Sequence, residues 1–145
     1  MIELPWTIDT NILVYATETD APVAKQLIAQ QLMKRLTLSP QACLVGQVVG
    51  EFMNVVLRKK AMSHAQAFEA VSLLSQAARV LGASQQAYEK AWKLAATHKY
   101  QVWDALIVAI CAEHGVKTLY SEDAGSLKRP LGVHVINPFA NLKTP

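Results

Sequence analysis

The chain predicts a single α/β domain in three layers, with a central, mostly parallel, twisted sheet of four to five short strands flanked by helices. Three observations carry this. Short apolar runs bounded by Gly, Pro or Ser alternate with longer stretches of helical spacing, as in parallel strands joined by helical crossovers. The 145 residues are enough for one domain with a real core. Although 52% of residues are hydrophobic, no apolar run reaches the length of a membrane span.

The first strand ends at Thr7-Ile8 and delivers Asp9, followed by Thr10, Asn11 and the helical run Ile12 to Tyr15. Asp9 either caps that helix or stands where ligands bind in a parallel sheet, beyond a strand's carboxyl end. A second helix starts at Asp20-Ala21-Pro22, with Pro22 in the first turn and Ala24, Leu27, Ile28, Leu32 and Leu36 turned inward. Ala42 to Val45 is the second strand, ended by Gly46. A helix then runs from about Gln47 to Lys60. Val48, Phe52, Val55 and Val56 form its apolar face, and Gln47, Glu51, Asn54 and Arg58 line up on one polar edge. Glu51 there is either a solvated glutamate or a site residue.

Ser63 to Gln66 matches a capping box for the next helix. Arg79 to Gly82 is the weakest strand. Ser84 caps a helix with Tyr88, Ala91, Trp92 and Ala95 inward. His64 and His98 lie near helix ends as surface residues. Val102 to Ala112 is apolar except for Asp104, so this helix is expected to be buried all round. Asp104 has a structural reading too, as a carboxylate stabilised at a helix amino end. Val116 to Tyr120 is the fourth strand, with Ser121, Glu122 and Asp123 at its end, and Val133 to Ile136 is the last. Residues 1–140 are expected to form the domain and 141–145 a frayed tail.

Topology brings four acids together. Asp9, Glu51 and Asp123 each follow a strand's carboxyl end. The helix carrying Asp104 feeds the amino end of the fourth strand, so its own amino end lies at the carboxyl edge. Four carboxylates repel and raise one another's pKa unless a cation intervenes. Oxygen-only ligands favour magnesium or manganese over zinc. Setting these four aside leaves 7 acids against 14 Lys and Arg, a basic exterior suited to a polyanion. Cys43 and Cys111 sit in apolar stretches without metal spacing, which predicts buried thiols in a reducing, cytoplasmic setting. The amino terminus lacks the regions of a signal peptide.

Ile8 to Tyr15, Gly50-Glu51-Phe52 with Arg58-Lys59, Trp103 to Ile107, Ser121-Glu122-Asp123 and the closing Val135 to Phe139 resemble the PIN domain family, and within it the VapC-like ribonuclease toxins. The resemblance implies a PIN-like fold and a magnesium- or manganese-dependent endoribonuclease. Asp9, Glu51, Asp104 and Asp123 match the acidic quartet, with Asn11 and Ser121 as supporting polar groups. It also implies a small antitoxin partner and a homodimer. The sequence departs from many relatives at Ala124-Gly125-Ser126, which leaves open the choice between Glu122 and Asp123. Arg58, Lys59, Lys60, Lys128 and Arg129 are the candidate RNA contacts, each with surface solubility as its alternative.

Two rival readings stand beside this one. One is a non-catalytic nucleic-acid-binding PIN-like domain with a structural metal ion. The other is a metal-dependent phosphatase or a receiver-like switch on a similar open sheet, and a receiver would carry a lysine just after the fifth strand, where this chain has Asn137-Pro138. The high apolar content further predicts a partner's helix or strand in a groove near the first two helices.

Overall fold

The computed structural model describes residues 2–123 and 129–142. In chain order the elements are β1 (Trp6–Ile8), α1 (Thr10–Thr17), α2 (Val23–Leu38), β2 (Cys43–Val45), α3 (Gly46–Arg58), α4 (His64–Ala77), β3 (Arg79–Leu81), α5 (Gln85–His98), α6 (Val102–Glu113), β4 (Thr118–Tyr120), a 3-10 turn (Pro130–Gly132) and β5 (His134–Ile136). All strand pairings among the described residues are parallel. β4 lies between β1 and β5, β2 pairs with β3, and a parallel bridge from Trp6 to Ala42 joins the two ribbons. The resulting order is β3-β2-β1-β4-β5.

Every residue of β1 and β2 is buried. Successive strand residues face opposite sides, so both faces of the sheet are covered, as expected for parallel strands read from continuous apolar runs. α6 lies against β2, and residues Ala105 to Cys111 are all buried. Its outer side is closed by α5 through Ala87, Ala91 and Leu94. Small residues on that seam let the two helices approach closely, which leaves no room for rings. Tyr88 and Trp92, expected inward, are therefore turned out and pair with each other at 6.1 Å between centroids.

α2 also departs from expectation. Its buried residues are Ala29, Leu32 and Leu36, whereas Ala24 and Leu27 are exposed. Pro22 is the N-cap rather than a residue of the first turn.

α3 begins at Gly46, so the glycine opens the helix rather than merely ending β2. A Cβ at that position would lie 3.3 Å from the Leu81 carbonyl oxygen, which fits glycine at the seam between β2 and β3. The helix ends at Arg58, two residues short of Lys60, which adopts left-handed backbone (φ 56°). The Ser63–Gln66 capping box is present in both directions. Ser84 caps α5 by accepting from the Ala87 amide. Cys43 and Cys111 are free and buried. Leu142 is partly buried and packs against the core.

Candidate active site

Parallel connectivity puts the carboxyl ends of β1, β2 and β4 on one edge, together with the amino ends of α1, α3 and α6. A cavity of about 350 Å³ opens there, lined by Asp9, Glu51, Asp104 and Asp123. The four acids arrive on α1, α3, α6 and the segment after β4, and each is held differently.

Asp9 is the N-cap of α1 and is buried. Its Oδ1 accepts from the Thr10 amide at 2.7 Å, and its Oδ2 accepts from the Ser121 hydroxyl at 2.7 Å. Burial raises its pKa, and these two hydrogen bonds oppose the rise while Glu51 and Asp123 add to it. Asp9 is thus the cap of α1 and at the same time a wall of the cavity.

Glu51 lies in the second turn of α3. Oε2 accepts from the Thr10 hydroxyl at 2.7 Å and Oε1 from the Gln47 side-chain amide at 2.8 Å. The same Gln47 nitrogen donates to the Trp103 carbonyl at 3.1 Å, tying the starts of α3 and α6 together. A solvated glutamate on a free helix face does not describe Glu51.

Asp104 is the third residue of α6, but it is not the cap. Gln101 is, its side-chain oxygen accepting from the Asp104 amide at 2.9 Å. The Asp104 carboxylate is thus left to the cavity, and its pKa is pushed up to about 6, by burial first and then by Asp9, Asp123 and Glu51.

Asp123 reaches the cavity through Ser121, whose hydroxyl oxygen accepts from the Asp123 amide at 3.1 Å. Ser121 is buried and links Asp9 to the backbone that carries Asp123. Glu122 faces away, accepting from the Tyr15 hydroxyl at 3.1 Å and the Lys25 ammonium at 3.0 Å. Of the two adjacent acids it is Asp123 that lines the cavity.

Asn11 lines the cavity as well, and its buried Oδ1 has no hydrogen-bond partner among the described residues. Arg58 and Lys59 form part of the wall, Lys59 paired with Glu18 at 2.5 Å. Lys60 and Arg129 are exposed and lie outside the lining. Lys128 and Ala124-Gly125-Ser126 lie outside the described residues.

Among the described residues, no three Asp, Glu, His or Cys side chains are arranged as a ready-made ion cage. The donor chemistry nevertheless fits a hard divalent cation. The acidic groups offer oxygen alone, Asn11 holds an unsatisfied buried oxygen, and burial first, with mutual repulsion adding to it, raises the Asp9 and Asp104 pKa values.

Sequence reasoning missed Thr10, Gln101 and the Tyr15–Lys25 pair. Thr10 carried a signal, since a hydroxyl next to Asp9 was at hand, and Gln47 stood on the polar edge of α3 without a role. Tyr15 and Lys25 carried none, because Glu122 meets them across 107 and 97 residues of chain.

A parallel α/β domain with an acidic cavity at its carboxyl edge defines the class. The chain belongs to the PIN domain family, whose model matches residues 7–130. Solved structures agree in fold. Mycobacterium tuberculosis VapC20, described as a sarcin-ricin-loop-cleaving toxin, is 22% identical, with a TM-score of 0.67 over 82% of this chain and 90% of that one. A toxin–antitoxin complex from Klebsiella pneumoniae is 22% identical, with a TM-score of 0.66 over 91% and 96%. FitAcB from Neisseria gonorrhoeae is 20% identical, with a TM-score of 0.68 over 93% and 99%. A search of curated proteins returns no match.

Proposed function

We propose that this PIN domain is a divalent-metal-dependent endoribonuclease that hydrolyses RNA phosphodiester bonds, and that it is the toxin of a toxin–antitoxin pair. The observation that carries the nuclease reading is the convergence of four carboxylates from four separate elements on one cavity that also has Arg58 and Lys59 in its wall. The toxin reading rests on likeness to VapC20 and to toxin–antitoxin complexes.

Asp9, Glu51, Asp104 and Asp123 would hold a magnesium or manganese ion, with the Asn11 oxygen beside them. The chemistry such an ion supplies when bound is Lewis acidity toward the phosphate and acidification of the attacking water. The chain's own residues do the rest. Ser121 fixes the rotamer of Asp9 and holds the backbone of Asp123. Thr10 and Gln47 occupy one oxygen each of Glu51 and aim it along α3. Arg58, with no carboxylate partner among the described residues, meets the RNA backbone, and Lys59 does so on leaving Glu18.

The same reading makes residues 1–140 the nuclease domain and 141–145 a tail. It adds a small antitoxin and a second copy of the chain as partners, and a cytoplasmic location. The free buried thiols support that location, and no described helix is long and apolar enough to cross a membrane. Exposed Leu27 and Val23 on α2 are apolar surface available to the antitoxin.

The test is incubation of the purified protein with an RNA panel in manganese and in chelator. Cleavage in manganese alone, abolished in Asp104→Asn, is the expected result. RNA binding without cleavage in manganese would instead establish a non-catalytic nucleic-acid-binding domain with a structural ion.

A further inference from the structure

Two tryptophans of this chain are exposed to the same degree, Trp92 at 58% and Trp103 at 57%. Their settings differ. Neither lines the carboxylate cavity, but Trp92 on α5 leans on Tyr88 and has no bond to a residue that holds a cavity carboxylate. Trp103 has no aromatic partner among the described residues and directly precedes Asp104 in the first turn of α6. Its carbonyl accepts from the Gln47 amide that also holds Glu51, so its backbone is two hydrogen bonds, of 3.1 and 2.8 Å, from a cavity carboxylate.

The cavity is polarised along α3. Glu51, Arg58 and Lys59 line it in that order toward the carboxyl end of the helix, while Gln47, bonded to the Trp103 carbonyl, stands at the amino end just outside the lining. Glu51 and Arg58 are separated by about 10 Å of helix. A polyanion crossing the carboxylates thus meets cations on one side, and its continuation past Glu51 on the other runs toward the amino end of α6, where the exposed Trp103 indole stands beyond the cavity lining. Nothing in an ion site or a phosphate site calls for an exposed indole, which carries a large apolar surface at its own cost in water. A nucleobase has a flat face of matching size and chemistry, and aromatic platforms hold unpaired bases this way without reading their sequence.

We propose that Trp103 is a stacking platform for an unpaired nucleobase next to the phosphate held in the carboxylate cavity. The inference rests on the ribonuclease reading and deepens it, because it names a residue of this chain that positions the nucleotide beside the cut. The RNA is single-stranded, or has a nucleotide turned out of its helix, at the position beside the cut. A fully paired duplex keeps its base faces covered and gains nothing from the indole.

The test compares two probes of equal charge, an oligouridylate of about nine nucleotides and a ribose-phosphate chain of the same length without bases. Binding is measured with chelator present, so that no cleavage intervenes and carboxylate repulsion cancels in the ratio of affinities. The full-length wild type is expected to prefer the oligouridylate by roughly five- to a hundredfold, the range of one stacked base. Trp103→Ala should bring the ratio close to one, Trp103→Phe should restore most of it, and Trp92→Ala should leave it at the wild-type value. Arg58→Gln should weaken both probes alike and lower the salt dependence of log K by about 0.7, a change that Trp103→Ala should not produce. A Trp103→Ala protein that still cleaves RNA and keeps the wild-type ratio overturns the stacking role, and its indole is then left to a partner protein. Wild-type protein that neither binds the oligouridylate nor cleaves any RNA overturns both the inference and the nuclease reading.

Discussion

The amino ends of α1 and α6 are alike in sequence and opposite in structure. Each presents an aspartate at the start of an apolar helix on the carboxyl edge of the sheet. At α1, Asp9 closes the helix itself and is engaged on both oxygens, by Thr10 and Ser121. At α6, Gln101 closes the helix one turn earlier, and the Asp104 carboxylate accepts no hydrogen bond among the described residues. A carboxylate with partners is part of the frame. One released from capping by a neighbour stores repulsion that a cation can relieve.

The largest test of this contrast is cleavage. Asp9→Asn and Asp104→Asn should each reduce manganese-dependent RNA cleavage by at least about a hundredfold, because loss of even an outer-shell partner of a metal ligand costs about 10- to 100-fold and a ligand itself costs more. Retention of near wild-type rates in either variant, measured on the same RNA, would remove that residue from the site.

Next in size is the response of stability to metal. Wild-type protein should gain about 2.7 kcal/mol at a hundredfold excess of ion over its Kd. Thermal melting across a manganese titration should show that Asp104→Asn loses most of this gain. Equal shifts in the two proteins would mean that Asp104 is no ligand.

Without metal the ranking should invert. Asp9→Ala removes a helix cap worth about 1 kcal/mol and leaves the buried Ser121 hydroxyl unsatisfied, at about 1–3 kcal/mol more. Asp104→Ala removes only a repelled charge, so in chelator it should melt no lower than wild type. Gln101→Ala sharpens the point, since it should cost about 1 kcal/mol as a lost cap while leaving the manganese-induced shift at its wild-type size. If Asp104→Ala destabilises as much as Gln101→Ala in chelator, the division of labour between the two residues is wrong.

The smallest effect is on pH dependence. In the metal-free fold the Asp104 carboxyl is held at about 6, against an ordinary 3.8, by burial and by Asp9, Asp123 and Glu51. The folded chain therefore keeps a proton that the unfolded chain has lost over that interval. The stability this proton contributes is complete below 3.8 and is lost as pH rises through about 6. Asp9, also raised by burial, acts in the same direction. Melting in chelator should thus fall more steeply from pH 4 to about 6 for wild type than for Asp104→Asn. Parallel profiles would count against a repelled Asp104.

By itself the sequence determined the alternation of strands and helices and the edge at which Asp9, Glu51, Asp104 and Asp123 emerge. Period and connectivity are local properties, and a right-handed parallel crossover leaves little freedom in where an element begins. It also determined the Ser63–Gln66 cap and the burial of Ala105 to Cys111 in α6, but not the exposure of Val102 and Trp103, which it places in the same buried run and which the first turn of α6 leaves in solvent. What only the tertiary structure decided is which partner each polar group meets. The turning away of Glu122 toward Tyr15 and Lys25 left Asp123 to the cavity, and it depended on α1 and α2 lying close by. The bond from Gln47 to Trp103 and the Thr10–Glu51 contact likewise join residues on different elements, and the packing of α5 on α6 turned Trp92 outward. Local pattern is silent there, because helical period states that a residue faces out or in and says nothing of what stands opposite.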